Sequence, residues 1–551
     1  MLTILIDWIY ILFTCFSSGF FFLWMAEKRL RYSVKRMDSV LMAGLVIATV
    51  YAQSFSLLYR VNVEANIVLS GFCILICVVL RRQMKQFLRE RLANLPLSAR
   101  ILIPLLFVLW SFFASRGYMV PDMDIYHGQS IRWIEEYGVV KGLGNLHCRF
   151  GYNSSIFAVS ALYSMKFLLG RSLHAINGLI AFILSLTALE LGKAFRRRRM
   201  LLSDYARVGA IYYLTTIYDE VIAPSSDYAV MCVIFFIIIK WLTQLEKEDA
   251  QERDRIAPYA LLCVMGIWTI TLKLTAGLIL LLTVKPACML IKNKKWKETG
   301  IYLVLGLVTA IPWMARTVII TGWLLYPFAD LDLFSVDWKI VDESIIRRDS
   351  YLIRIWAKAA NTLKDTSLRS WFPHWFRNAL STMERLLVVT DLVVCAGTAV
   401  SAVIIFVKRR WRQLDLLLVM GTLSSCYLFW QFSAPMVRYG YAYVLLTAAV
   451  AGGYILEKLK LTKFAYLALV LYGAYKVYTC CGYVTLCWLR PCYIWSETYE
   501  SYEVESYEVD GVTFYYSPYE GPTGYDAFPS APTRAELELR GEGLKDGFRP
   551  K

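Results

Sequence analysis

Apolar residues run along this chain in blocks of about twenty, each closed by a short polar or basic segment, and the pattern continues to about residue 482. A helix rises about 1.5 Å per residue, so such a block reaches across a hydrocarbon core of about 30 Å. About fourteen spans follow from this reading, at 3–25, 39–58, 64–80, 101–116, 172–194, 205–222, 227–244, 257–272, 275–291, 299–318, 384–407, 412–430, 437–457 and 462–482. The first block lacks a basic leader and a small-residue cleavage site, so it reads as a span and not as a removed signal.

One further apolar run, 153–169 (NSSIFAVSALYSMKFLL), does not fit as a crossing. Counting it would put FRRRRM (195–200), KNKKWK (292–297) and KRRWR (408–412) on the side opposite to EKRLRYSVKR (27–36). Basic residues collect in cytoplasmic loops, so this run is expected to be a juxtamembrane or re-entrant helix on the outer side. Both termini are then expected outside, with the loop 116–171, the long loop 319–383 and the tail on that same face.

The tail, about 483–551, turns polar and rich in Tyr, Gly and Pro, and SYEVDGVTFYY (506–516) predicts two strands around an Asp510-Gly511 turn. The expected fold class is therefore an all-α polytopic membrane protein with outer juxtamembrane helices and a small β-rich C-terminal tail. Its transmembrane domain covers 1–482, and a small extracytoplasmic appendage covers 483–551.

Composition agrees: 58% of the 551 residues are apolar and 19% charged. A net charge of +16 would suggest nucleic acid in a soluble protein, but here it sits in short loops between spans, which argues for membrane lipids as neighbours and excludes a nucleic-acid partner. Most of the 13 cysteines fall inside apolar runs and show no metal-ligand spacing. Cys487 and Cys492, beyond the last span, could pair on an oxidising side.

Candidate chemistry gathers at outer span ends. Asp122 and Asp124 stand just past the fourth span, flanked by Tyr126 and His127, where a carboxylate is costly unless solvated or paired. Glu135 and Glu136 read as surface charges of the following helix. Asp219, Glu220 and Asp227 in YDEVIAPSSDY, Lys273 in TLKLT, Arg316 in PWMART, and Arg438 with Tyr439 in APMVRYGY also occupy places where apolar side chains would be cheaper. Asp227 is placed to neutralise Lys273 or Arg438, and cations with carboxylates around one outward cavity suit phosphate handling. Asp124 with His127 could hold a divalent cation, Mg or Mn, at such a phosphate. Arg149, Tyr152 and Asn153 of HCRFGYNSS are expected to line an acceptor entrance. RSWFPHWFR (369–377) is expected to cover the site or rest on the membrane. All four histidines, His127, His147, His174 and His374, map to the outer face.

The order of these motifs, DMDIY, APSSD, the lysine between two spans, IPWMARTVIITGWLLYPF (311–328) and PMVRYGY, resembles the GT-C superfamily of integral-membrane glycosyltransferases, most closely its protein mannosyltransferase and lipid A aminoarabinose transferase branch, over roughly residues 101–457. The resemblance implies transfer of a sugar from a polyprenyl-phosphate donor to a lipid or glycan acceptor on the non-cytoplasmic side, with inversion. Asp122 then matches the catalytic base, four residues before Tyr126, with Asp124 added as a second catalytic candidate and Tyr126, His127 and Asp227 as substrate-binding neighbours, while Met123 replaces the family's Glu and Thr317 stands where relatives often carry Asn. Arg438, Arg316 and Lys273 would stabilise the leaving phosphate. The setting expected is a bacterial inner membrane. A transporter or flippase of a lipid-linked saccharide would also want charges in an outward cavity, and a surface-polysaccharide polymerase or ligase is chemically close to the first reading.

Overall fold

A computed structural model describes the chain apart from residues 329, 342, 361–362 and 411–412, so Trp411 and Arg412 of the KRRWR motif lie outside the described residues. The protein is an all-α integral membrane protein with a small β-rich tail. Among the described residues, eleven helices are long and apolar enough to cross a membrane, twelve if Val63–Val79 and Arg81–Ala93, bent by 81° at their junction, count as one span.

The difference from about fourteen has physical causes. The run 205–222 forms a helix only over Leu202–Leu214, about 20 Å of rise, and breaks into turns at Thr215. In 437–457 the helix starts at Tyr441, after a 3₁₀ turn at Val437–Tyr439, and Tyr441–Lys458 ends in a Glu-Lys pair that dilutes its apolar character. The run 153–169 divides into the short helices Ser155–Leu162 and Lys166–Leu169, and every residue of the first is buried in protein. Eight residues rise only about 12 Å, too little to cross.

The Ser226–Leu245 helix is the most enclosed, with 83% of its apolar window buried. Leu2–Leu30 and Met37–Ser56 pack so closely that a Cβ on Gly44 would lie 1.8 Å from the Cys15 carbonyl oxygen. The N-terminus adjoins the start of the tail: the Met1 amino group donates to the Cys492 carbonyl at 2.8 Å. At the opposite face, basic loops meet acidic partners, as in Arg199 with Glu457 (2.5 Å) and Lys285 with Asp415 (2.6 Å).

The last helix runs to Cys487, and the tail folds back over the 120–151 segment. Glu505–Val509 pairs antiparallel with Val512–Tyr516 around Asp510-Gly511, whose φ values of 50° and 79° give the turn its mirror-image geometry. Ser530–Ala531 adds a parallel third strand, and Leu537–Leu539 pairs with Phe548–Pro550. Phe514, Ala531, Leu537 and Phe548 bury against Trp133, Val140 and Phe150, so the tail shares a core with the loop it covers. Cys487 and Cys492 are both buried and free.

Candidate functional site

Four charged side chains meet where four chain segments end. Asp227 lies in the first turn of Ser226–Leu245, capped by Ser225, where the helix dipole favours an anion. Lys273 follows the last turn of Ile256–Leu272 in an extended conformation (φ −157°, ψ 122°), where the dipole favours a cation. Arg438 sits in the 3₁₀ turn at Val437–Tyr439, held close to the preceding helix because Gly440 leaves room for the Trp430 ring, which a Cβ would meet at 2.5 Å. Asp122 precedes a π-helical turn, Met123–His127, a local distortion often used to aim side chains.

The charges alternate. Arg438 donates to Asp122 at 2.8 Å and its Nε stands 3.5 Å from Asp227, which also accepts from Lys273. The Lys273 ammonium lies 3.7 Å from the centre of the Tyr439 ring, and the Arg438 guanidinium 5.2 Å from it. Arg149 reaches within 4.0 Å of Asp122 and binds Asp349 at 3.3 Å, to which Tyr152 also donates at 2.8 Å. Asp122, Arg438 and Lys273 remain 28%, 26% and 23% exposed, so the cluster is open to a ligand.

Burial alone would raise the Asp122 carboxyl, but His127, Arg438 and Arg149 outweigh it and hold the group below the usual carboxylate range. Burial lowers His127 to about 4, so its ring is neutral near pH 7 and the two guanidinium groups supply the charge that keeps Asp122 ionised. His127 packs edge-on to Tyr126, ring centres 4.3 Å apart, and tilts against Phe157.

Two expected members go elsewhere. Asp124 turns away to the tail: its carboxylate accepts from Tyr502 at 3.1 Å and its carbonyl from the amides of Thr523 and Gly524. Arg316 is buried, with Nε on Asn153 at 3.0 Å and a second nitrogen on Ser56, and makes no ion pair among the described residues. Asn153 also donates to Trp313 and Thr317, so it ties the segment before Ser155–Leu162 to the Trp296–Thr321 helix and does not line an entrance. Arg149 and Tyr152 do border the cluster. Asp124 and His127 thus serve different neighbourhoods, and among the described residues no three His, Cys, Asp or Glu side chains converge, so these residues do not fit a divalent ion.

Glu135, expected at the surface, is 1% exposed. Burial would raise its carboxyl, yet His174, 3.8 Å away, with Tyr525 and Lys166, brings it below the usual range. His174 in turn bonds Tyr499 of the tail at 2.5 Å. His147 accepts from the Arg149 amide and burial lowers it to about 4, whereas His374 is half-buried beside Asn378. Glu220 accepts from Tyr228, the residue that follows Asp227. The RSWFPHWFR motif forms the helix Leu368–Asn378, and its Trp375 donates to the Pro435 carbonyl at 2.9 Å, so it docks beside the turn that carries Arg438.

Asp124 gives the tail a pH dependence. Burial raises its carboxyl from about 3.8 to about 6. An acid whose folded pKa is raised contributes stability that is complete below its unfolded pKa and lost as pH rises through the folded one. Amide exchange over 499–526, corrected for intrinsic rates, is expected to become less protected between about pH 4 and 6, the interval between the two pKa values, and to level off above it. In Asp124→Asn this dependence should vanish; an unchanged profile would put its origin elsewhere.

The family described as "Domain of unknown function (DUF8201)" matches residues 1–445, most of the chain, and the chain belongs to it. No curated protein and no solved structure matches.

Proposed function

For this member of the DUF8201 family, we propose a membrane glycosyltransferase that moves a sugar from a polyprenyl-phosphate carrier to an acceptor hydroxyl of a lipid or glycan on the non-cytoplasmic face, with inversion. The observation that supports this reading most is the alternation Asp122, Arg438, Asp227, Lys273 at the ends of spans. A carrier with an isoprenoid tail keeps that tail in lipid, so its phosphate and sugar are met at interfacial depth, where these side chains stand.

The resting pairs suggest an exchange of partners. A donor phosphate entering between Arg438 and Lys273 takes over their positive charge, and Asp122 loses the counter-ion that suppresses its basicity. The acceptor oxygen attacks the anomeric carbon, the bond from that carbon to the phosphate oxygen breaks, and the acceptor proton passes to Asp122. The departing polyprenyl phosphate keeps the electron pair and is stabilised by Arg438 and Lys273. A phosphate is a weakly basic leaving group, so no general acid is required. Asp349, which holds Arg149 beside Asp122, positions this edge of the site from the Glu343–Ala357 helix of the long loop.

The test is formation of a glycosidic bond by the purified protein from a labelled polyprenyl-phosphate sugar and a candidate acceptor. Movement of the labelled lipid across vesicles with no covalent product would favour a flippase. Arg438→Ala is expected to raise the donor Kd roughly 10- to 100-fold, the effect of about one charge-assisted hydrogen bond, with acceptor affinity nearly unchanged. Equal loss for both substrates would mark Arg438 as structural.

A further inference from the structure

The bent element beyond Val63–Val79 is organised on three sides. Arg81–Ala93 leaves the span at 81°. Met84 and Phe87 are buried and Leu88 half-buried, and Phe87 packs on Phe20 with ring centres 5.4 Å apart. This row fixes one side of the helix to the protein's own spans. Gln83, Gln86 and Glu90 follow at helical spacing on a second, polar side. Between the two lies a third side formed by Arg81, Arg82, Lys85 and Arg89, all exposed and, among the described residues, none in an ion pair. Exposed Leu92, 61% accessible, falls in the same row.

The element is also firmly held. Arg91 donates to the Lys35 carbonyl at 2.8 Å, which ties it to the basic 27–36 segment. At its C-terminus the Arg100 guanidinium bonds the carbonyls of Leu92, Ala93 and Leu95, and Asn94 bonds that of Glu90, so the last carbonyls are satisfied. A helix turned nearly at right angles to its span lies along the membrane surface, and an unpaired basic row with a leucine in it fits the plane of lipid headgroups.

We propose that Arg81, Arg82, Lys85 and Arg89 form a docking surface for the anionic headgroups of phospholipids, in the leaflet opposite the face that carries the chain ends. The charge is complementary: four cations stand free on one flank, and the one acid of the helix, Glu90, is on the polar side and engaged with Gln86 and Arg91. The surface is separate from the Asp122 cluster and does not depend on the proposed transfer.

Native mass spectrometry of the full chain titrated with phosphatidylglycerol and phosphatidylcholine tests this. The unaltered protein is expected to retain phosphatidylglycerol in preference, and the combined variant R81Q, R82Q, K85Q and R89Q to lose at least about tenfold of that preference. Its melting temperature should hold, since these side chains have no ion-pair partner among the described residues and glutamine sustains a helix. Arg82→Gln and Lys85→Gln singly should each give a part of the loss, which covers the case of a poorly folded combined variant. Absence of a preference in the unaltered protein, or equal preference in the variants, would overturn the proposal, as would retention of an acidic protein in place of lipid.

Discussion

Asp122→Asn is expected to lower sugar transfer by about three orders of magnitude, within the range that a positioned general base contributes, with donor affinity changed by no more than a few-fold. The amide cannot take the acceptor proton, while Arg438 keeps Asp227 as a partner at 3.5 Å and Lys273 keeps its own contact with Asp227, so the phosphate site stays assembled. The side chain is 28% exposed, and a partly solvated ion pair contributes little to folding, so the melting temperature should barely move. Single-turnover transfer and donor titration on one preparation separate the two effects. Turnover by Asp122→Asn at the rate of the unaltered protein would remove Asp122 from the base role.

The largest effect on stability is expected at the other end of the central helix. Asp38 is 3% exposed and accepts from Arg36 at 2.7 and 3.0 Å, from Lys240 at 2.7 Å and from Thr187 at 2.7 Å. The network continues from Arg36 to Glu190, then to Arg207 at 3.3 Å and Asp204 at 2.8 Å. Lys240 belongs to Ser226–Leu245, the helix whose first turn presents Asp227, so this lock sets the height and rotation of the candidate site from the far side. Asp38→Ala leaves Lys240 without its counter-ion inside the bundle and is expected to cost roughly 3–5 kcal/mol, read from reversible unfolding in detergent. Replacing both partners, Asp38→Leu with Lys240→Met, should recover most of that, because well-packed apolar groups replace a buried pair at little cost. A loss from Asp38→Ala within about 0.5 kcal/mol would mean that the network is hydrated and holds nothing in place.

The sequence made the helical class, most spans and the tail hairpin readable for one reason: each is set by local chemistry. A block of about twenty apolar residues has few alternatives to a span, and Asp510-Gly511 fits a mirror-image turn wherever it occurs. Asp122, Asp227, Lys273 and Arg438 stood out because a charge at the edge of hydrocarbon is expensive without a partner, and the structure gives each of them one. The failures are long-range. Asp124 is drawn off by Tyr502, and Glu135 is buried against Tyr525, contacts supplied by a tail whose docking leaves no trace in local pattern. Arg316 satisfies itself on neutral oxygens of Asn153 and Ser56, which charge-pairing logic does not anticipate. Asp349 was hidden among ordinary surface charges of a long loop. Lys240, by contrast, was a visible signal of the Asp38 network, an ammonium inside an apolar run.

Binding of a non-hydrolysable polyprenyl-phosphate sugar analogue, followed by structure determination, addresses the Asp122 cluster most directly. The analogue's phosphate is expected between Arg438 and Lys273, within hydrogen-bond distance of both, with Asp122 released from Arg438 and facing the anomeric carbon. A phosphate bound away from these residues, with the Asp122 and Arg438 pair intact, would contradict the assignment.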